Sequence, residues 1–149
     1  MAPEKLVLPP RFSRRILIAS TLTWSSIASA AYNALPINFV LAASVYATTL
    51  NYWRYPVFGW RRNVDMLCSF GALGYQAVVT AYQTSDAGRH MYWAAICCGG
   101  GCYALARYVS KTRGNLDVGS KFHVGVHVMG NVGNLILYDS LGANVLGLG

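Results

Sequence analysis

Acidic side chains are scarce in this chain. Five Asp and Glu stand against twelve Lys and Arg among 149 residues, a formal charge of +7. Charged residues of both signs reach only 11%, while hydrophobic residues make up 54% and the mean hydropathy is +0.35. An average soluble domain carries about 25% charged residues to cover its surface. The shortfall excludes a disordered tail and argues for lipid as the main solvent. A run of five or more basic residues is also lacking. The basic residues fall in short clusters between apolar stretches, so nucleic acid is not an expected partner. Cys68, Cys97, Cys98 and Cys102 include no CxxC pair with a matching second pair, which argues against a zinc or cluster site and leaves them as packing residues. Internal repeats and low-complexity tracts are absent. Ala2 follows the initiator Met, where myristoylation requires Gly. The apolar stretch after Arg14 and Arg15 is too long for a secretory signal.

What is present is a series of five apolar segments, at 16–35, 37–53, 64–82, 91–109 and 122–141. Each is about 17–20 residues, enough as a helix to span roughly 30 Å of hydrocarbon. None alternates apolar and polar residues as a barrel strand would, and a helix satisfies its own backbone groups in lipid. The expectation is a single all-α domain over 1–149, a polytopic bundle of five transmembrane helices. Eleven of the twelve basic residues lie before the first segment, between the second and third, or around the end of the fourth; Arg89 alone falls on the other side. That asymmetry predicts the N-terminus inside and the C-terminus outside.

Small residues and aromatics suggest how such a bundle packs. Gly99, Gly100 and Gly101 interrupt the fourth segment, at roughly 1 kcal/mol each relative to Ala in water. With no Lys-Ser/Thr after them they are not a phosphate loop, so they predict a packing groove, or room for a lipid or pigment tail. Gly130 and Gly133 extend the same reasoning to the last segment, where Asn131 and Asn134 offer interhelical hydrogen bonds. Trp53, Arg54, Trp60, Arg61 and Arg62 read as a belt that anchors helices at the headgroups or docks a partner.

The last segment holds the best chemical constellation. His123 and His127 are four residues apart, on one helix face, with the geometry for one metal ion. The competing reading has both bonded to headgroups or loop carbonyls. In the five-helix topology Asp65, Thr48 and Tyr52 lie at the same depth, which makes a cluster from three helices. This pattern resembles a degenerate form of the superfamily of alkaline ceramidases and progestin/adiponectin receptors. Thr48-x3-Tyr52 matches the family's Ser-x3-His, Asp65 its Asp, and His123-x3-His127 its final His pair. The resemblance implies a zinc site on Asp65, His123 and His127 and zinc-dependent hydrolysis of lipid amides or esters. Tyr52 in place of the third histidine, and fewer helices than the family has, depart from it.

The function expected first is a small noncatalytic integral-membrane accessory subunit of a respiratory or photosynthetic complex, in a mitochondrial inner or thylakoid membrane. Its partners would be membrane lipids and neighbouring subunits, one of which would hold the C-terminal ANVLGLG. The alternative is the ceramidase-like hydrolase or receptor. Protein neighbours on several faces would favour the first, and a metal among Asp65, His123 and His127 the second.

Overall fold

Proline, serine and asparagine set where the helices begin. Pro10 and Pro36 stand in first turns, where a missing N–H leaves no bond unmade. Ser85 Oγ accepts from the Gly88 backbone N–H, and Asn115 Oδ1 from that of Val118. In the computed structural model, which describes residues 6–145, the order is α1 (Pro10–Ser20), α2 (Thr23–Tyr32), α3 (Pro36–Arg54), α4 (Trp60–Gln83), α5 (Asp86–Thr112) and α6 (Leu116–Val145). Gly114, at φ +63°, makes the tight reversal between α5 and α6. The segment ahead of α1 lies against the α3–α4 loop through a Leu6–Val57 bridge and a Val7 N–H bond to the Pro56 carbonyl at 2.8 Å. Residues 146–149, most of the tail expected to meet a partner, lie outside the described residues.

One expectation is overturned. Among the described residues no helix is long and apolar enough to cross a membrane, so the five-span bundle, its inside-out topology and an integral-membrane location are not supported. Segment 16–35 is not one helix. It breaks between α1 and α2, 11 and 10 residues long, where Ser20 and Thr21 turn their hydroxyls onto the carbonyls of Ile16 and Ile18. α3, α4, α5 and α6 have the length, at 19, 24, 27 and 30 residues, but polar groups, and in the last three glycines as well, break up their apolar runs. Asp65 and Gln76 lie within α4, the glycine triplet and Arg107 within α5, and His123, His127, Asn131 and Asn134 within α6.

α5 and α6 form an antiparallel hairpin, the most extensive helix pairing in the molecule. α1 and α2 fill the space between α3 and α6, touching both, while α4 packs chiefly on α3. Two apolar cores result. One, at the end where α3 finishes and α6 starts, gathers Leu8, Phe12, Ile16, Tyr52 and Trp53. The other, at the opposite end, gathers Ala30, Val79, Tyr92, Leu137, Tyr138 and Leu141. A polar seam joins α2 to α6: Ser26 Oγ donates to Asn131 Oδ1 at 2.5 Å, and Asn134 Nδ2 donates to Ser26 Oγ at 3.2 Å.

Candidate functional site

Helix ends carry the sequence's polar candidates to one end of the bundle. α3 brings Thr48, Thr49, Tyr52 and Trp53; α4 brings Asp65; α5 brings Tyr103 and Arg107; α6 brings His123 and His127. Asp65 accepts a hydrogen bond from Thr49 Oγ1 at 2.5 Å. Burial pushes its carboxyl up, and the Thr49 and Thr48 hydroxyls draw it part of the way back. Thr48 also donates to the Ser44 carbonyl of its own helix at 2.9 Å. Tyr52 is buried, and burial raises its phenol against the opposing charge of Arg62, with Asp65 and Tyr103 adding to the rise.

The histidines join an aromatic stack instead of the carboxylate. Trp53 meets the His123 ring edge-on at 4.9 Å, Tyr103 lies 6.2 Å from it, and His127 follows at 5.4 Å. Burial lowers His123 to about 4, with Arg107 contributing, and lowers His127 to about 3, with His123 contributing. Both rings are therefore neutral near pH 7, and His127 Nε2 is buried with no hydrogen-bond partner among the described residues. A general base works best with a pKa near the operating pH, and neither ring has one. Among the described residues no three His, Cys, Asp or Glu side chains come together to hold a metal ion. Asp65, His123 and His127 do not assemble the expected zinc set: the carboxylate is held by Thr49 and the imidazoles by aromatic rings.

The glycines divide sharply. A Cβ on Gly99 would meet Met129 at 3.5 Å, and one on Gly133 would meet Ile96 at 3.2 Å, so both lie in the α5–α6 contact. Among the described residues Gly100, Gly101 and Gly130 have nothing within 4 Å of that position, which leaves open space beside them. Close approaches also occur at glycines the sequence did not single out, Gly88 against Ser140 and Gly142 against Asn33 among them. Gly125 would set a Cβ 2.9 Å from Cys102 Sγ, and Gly119 sits against Ser110 Oγ and 3.2 Å from the Ala106 carbonyl. Close helix approach at small residues is the physical reason.

A buried network was also missed. Gln76 Nε2 donates to Tyr138 Oη at 3.1 Å and Tyr92 Oη donates to Gln76 Oε1 at 3.3 Å, joining α4, α5 and α6. All three residues are buried, both tyrosines completely. Burial pushes each phenol up to about 12. The sequence signal was the lone Gln inside an apolar helix, which must find partners if buried.

Of the expected belt, Trp53 is buried in the core beside Tyr52, while Trp60 is 67% exposed with the Arg61 guanidinium over its ring, Arg62 lies over Phe58, and Arg54 donates to Asn51. The outer face of α4 then carries Trp60, Val64, Leu67, Gly71, Gly74, Val78 and Tyr82, all exposed and spaced by alternating fours and threes until a last step of four. Leu67 is 73% and Tyr82 84% exposed, and Phe70 borders the same face. A cleft of about 220 Å³ lies among Arg11, Phe12, Arg15 and Asp117. It is smaller than the roughly 300–1,000 Å³ of small-molecule sites. Asp117 beside it is occupied by Arg15 at 3.0 Å and Lys121 at 2.7 Å, which hold its carboxyl below the usual range. Set against protein-family models, curated proteins and solved structures, the chain matches none.

Proposed function

We propose that this chain is a noncatalytic accessory subunit of a larger protein assembly, with the outer face of α4 as its contact surface. The observation that carries the reading is the exposed apolar stripe from Trp60 to Tyr82. Large exposed apolar patches are uncommon on monomers and mark places where another chain packs. A fours-and-threes repeat is the spacing by which one helix presents a seam to another, and Gly71 and Gly74, with open space above them, let a partner backbone come close. Among the described residues the two buried histidines are held too low to act as bases near neutral pH, so that pair gives catalysis no comparable support.

The test is incorporation. A photo-crosslinking residue at Leu67 should trap one defined partner subunit in stoichiometric yield from the native source. Leu67→Glu with Val78→Glu should release the chain from that assembly while leaving its helical circular dichroism unchanged. Recovery of the wild-type chain from its source as a lone species would overturn the proposal.

A further inference from the structure

Charge and aromatic rings collect at one end of the bundle. The ends of α3 and α5, the starts of α1, α4 and α6, and the turns at 55–59 and 113–115 all meet there. Apart from Arg89, every described Lys and Arg belongs to these parts of the chain. The two described carboxylates in the same region are already engaged, Asp65 by Thr49 and Asp117 by Arg15 and Lys121. Arg54, Arg61, Arg62, Arg107, Lys111 and Arg113 thus have no carboxylate partner among the described residues. Several lie against exposed rings instead. The Arg61 guanidinium is 5.7 Å from the Trp60 ring, Arg62 5.6 Å from Phe58, and Arg113 5.9 Å from Tyr108. Phe58 is 63% and Tyr108 50% exposed.

We infer that this basic, ring-studded end docks onto an anionic phospholipid surface. Charge complementarity selects the partner. A cluster of unpaired guanidinium and ammonium groups is attracted to acidic headgroups, and each arginine held on an exposed ring matches the headgroup layer, phosphate to the cation and glycerol level to the ring. Continuity separates lipid from nucleic acid. Behind the charged end the apolar α4 stripe starts at Trp60 and runs on through Val64 and Leu67. A phosphodiester backbone has nothing to offer those side chains, whereas the upper acyl region does. Docking of this kind lies on the surface and needs no helix to cross it. The inference shares Trp60 and the start of the α4 stripe with the subunit reading, but its test uses the purified chain and lipid alone, so the two can fail separately.

Vesicle flotation of the full chain tests it, with phosphatidylcholine vesicles made with and without phosphatidylserine. The anionic vesicles should bind the chain and the neutral ones should not, and added salt should weaken the binding. Replacing Arg54, Arg61 and Arg62 together by Gln should lower affinity for the anionic vesicles on the order of a hundredfold, at roughly fivefold per arginine. Circular dichroism of that variant reports whether it folds. If it does not, Lys111→Gln with Arg113→Gln takes its place, with roughly a twentyfold loss expected by the same count. Phe58→Ser with Trp60→Ser should also weaken binding with no change in charge. Equal binding to both vesicle types, undiminished binding by the folded arginine variant, or displacement from vesicles by short duplex RNA or DNA would each overturn the inference, the last in favour of nucleic acid.

Discussion

Gly125 offers the sharpest test of how the α5–α6 hairpin is built. A methyl added there falls 2.9 Å from Cys102 Sγ, closer than real Cβ atoms come, and 3.4 Å from its Cβ. Gly125→Ala sets two effects against each other. Alanine gains roughly 1 kcal/mol of helix propensity, and overpacking of this kind costs about 1–3 kcal/mol. The sulfur is two bonds from the α5 backbone, moves only by turning about χ1 and is held beside Cys98, so relief requires a change of rotamer or a small parting of the helices, and the cost should lie in the upper half of that range. A net loss of about 1–2 kcal/mol follows, or roughly 3–6 °C in Tm for a chain of this size. Cys102→Ala removes the sulfur, so the double variant should recover most of the loss relative to Cys102→Ala alone. Gly100→Ala, with nothing within 4 Å, should show the propensity gain undiluted, about 1 kcal/mol of stabilisation. Thermal and urea unfolding followed by circular dichroism gives all four values. If Gly125→Ala is as stable as Gly100→Ala, or if Cys102→Ala fails to rescue it, the packing described for this seam is wrong.

The buried histidines make stability depend on pH. Their folded pKa values, about 4 and about 3, lie below the unfolded value of 6.5, so the unfolded chain takes up protons first. The stabilisation is complete above pH 6.5 and is lost as pH falls toward 4 and 3. At about 1.4 kcal/mol per pH unit for each ring the pair should lose on the order of 4 kcal/mol by about pH 5. Asp65, raised by burial, works in the opposite direction as its carboxyl protonates. Urea midpoints that stay level from neutral pH to about pH 5, or a His123→Gln/His127→Gln variant with the same slope as wild type, would refute this. Gln76→Leu should cost about 2–4 kcal/mol, because two buried phenols lose their shared partner at about 1–3 kcal/mol each. Adding Tyr92→Phe and Tyr138→Phe should restore much of it, and a triple variant no more stable than Gln76→Leu would count against the network.

Local signals in the sequence mark several of the helix boundaries, although not the break between α1 and α2. Pro36 opens α3, the polar and basic stretches around Gly59 and Gly114 separate α3 from α4 and α5 from α6, and the i, i+4 spacing of His123 and His127 puts both on one helix face. The pairing of Asn131 and Asn134 across a helix contact was legible for the same reason: an amide in an apolar helix needs a partner wherever it lands. The collection of basic residues at helix ends is also a property of the sequence, although it reads as membrane topology until the helices are assembled.

Tertiary structure decided everything that depends on which face meets which neighbour. Adjacent Gly99 and Gly100 are equivalent in sequence, yet a rotation of about 100° per residue puts one against Met129 and the other in the open. Trp53 and Trp60 belong to one aromatic cluster in the chain, but only Trp53 falls between α1 and α6 and is buried there with Phe12. Asp65 and the two histidines share one end of the bundle, and the sequence could take them no further. The packing of the helices gives the carboxylate to Thr49 and the His123 imidazole to Trp53 and Tyr103. Sequence spacing fixes the position of a residue along and around its own helix. Contacts between helices depend on their relative rotation and crossing, which many weak packing interactions set together and no single local motif encodes.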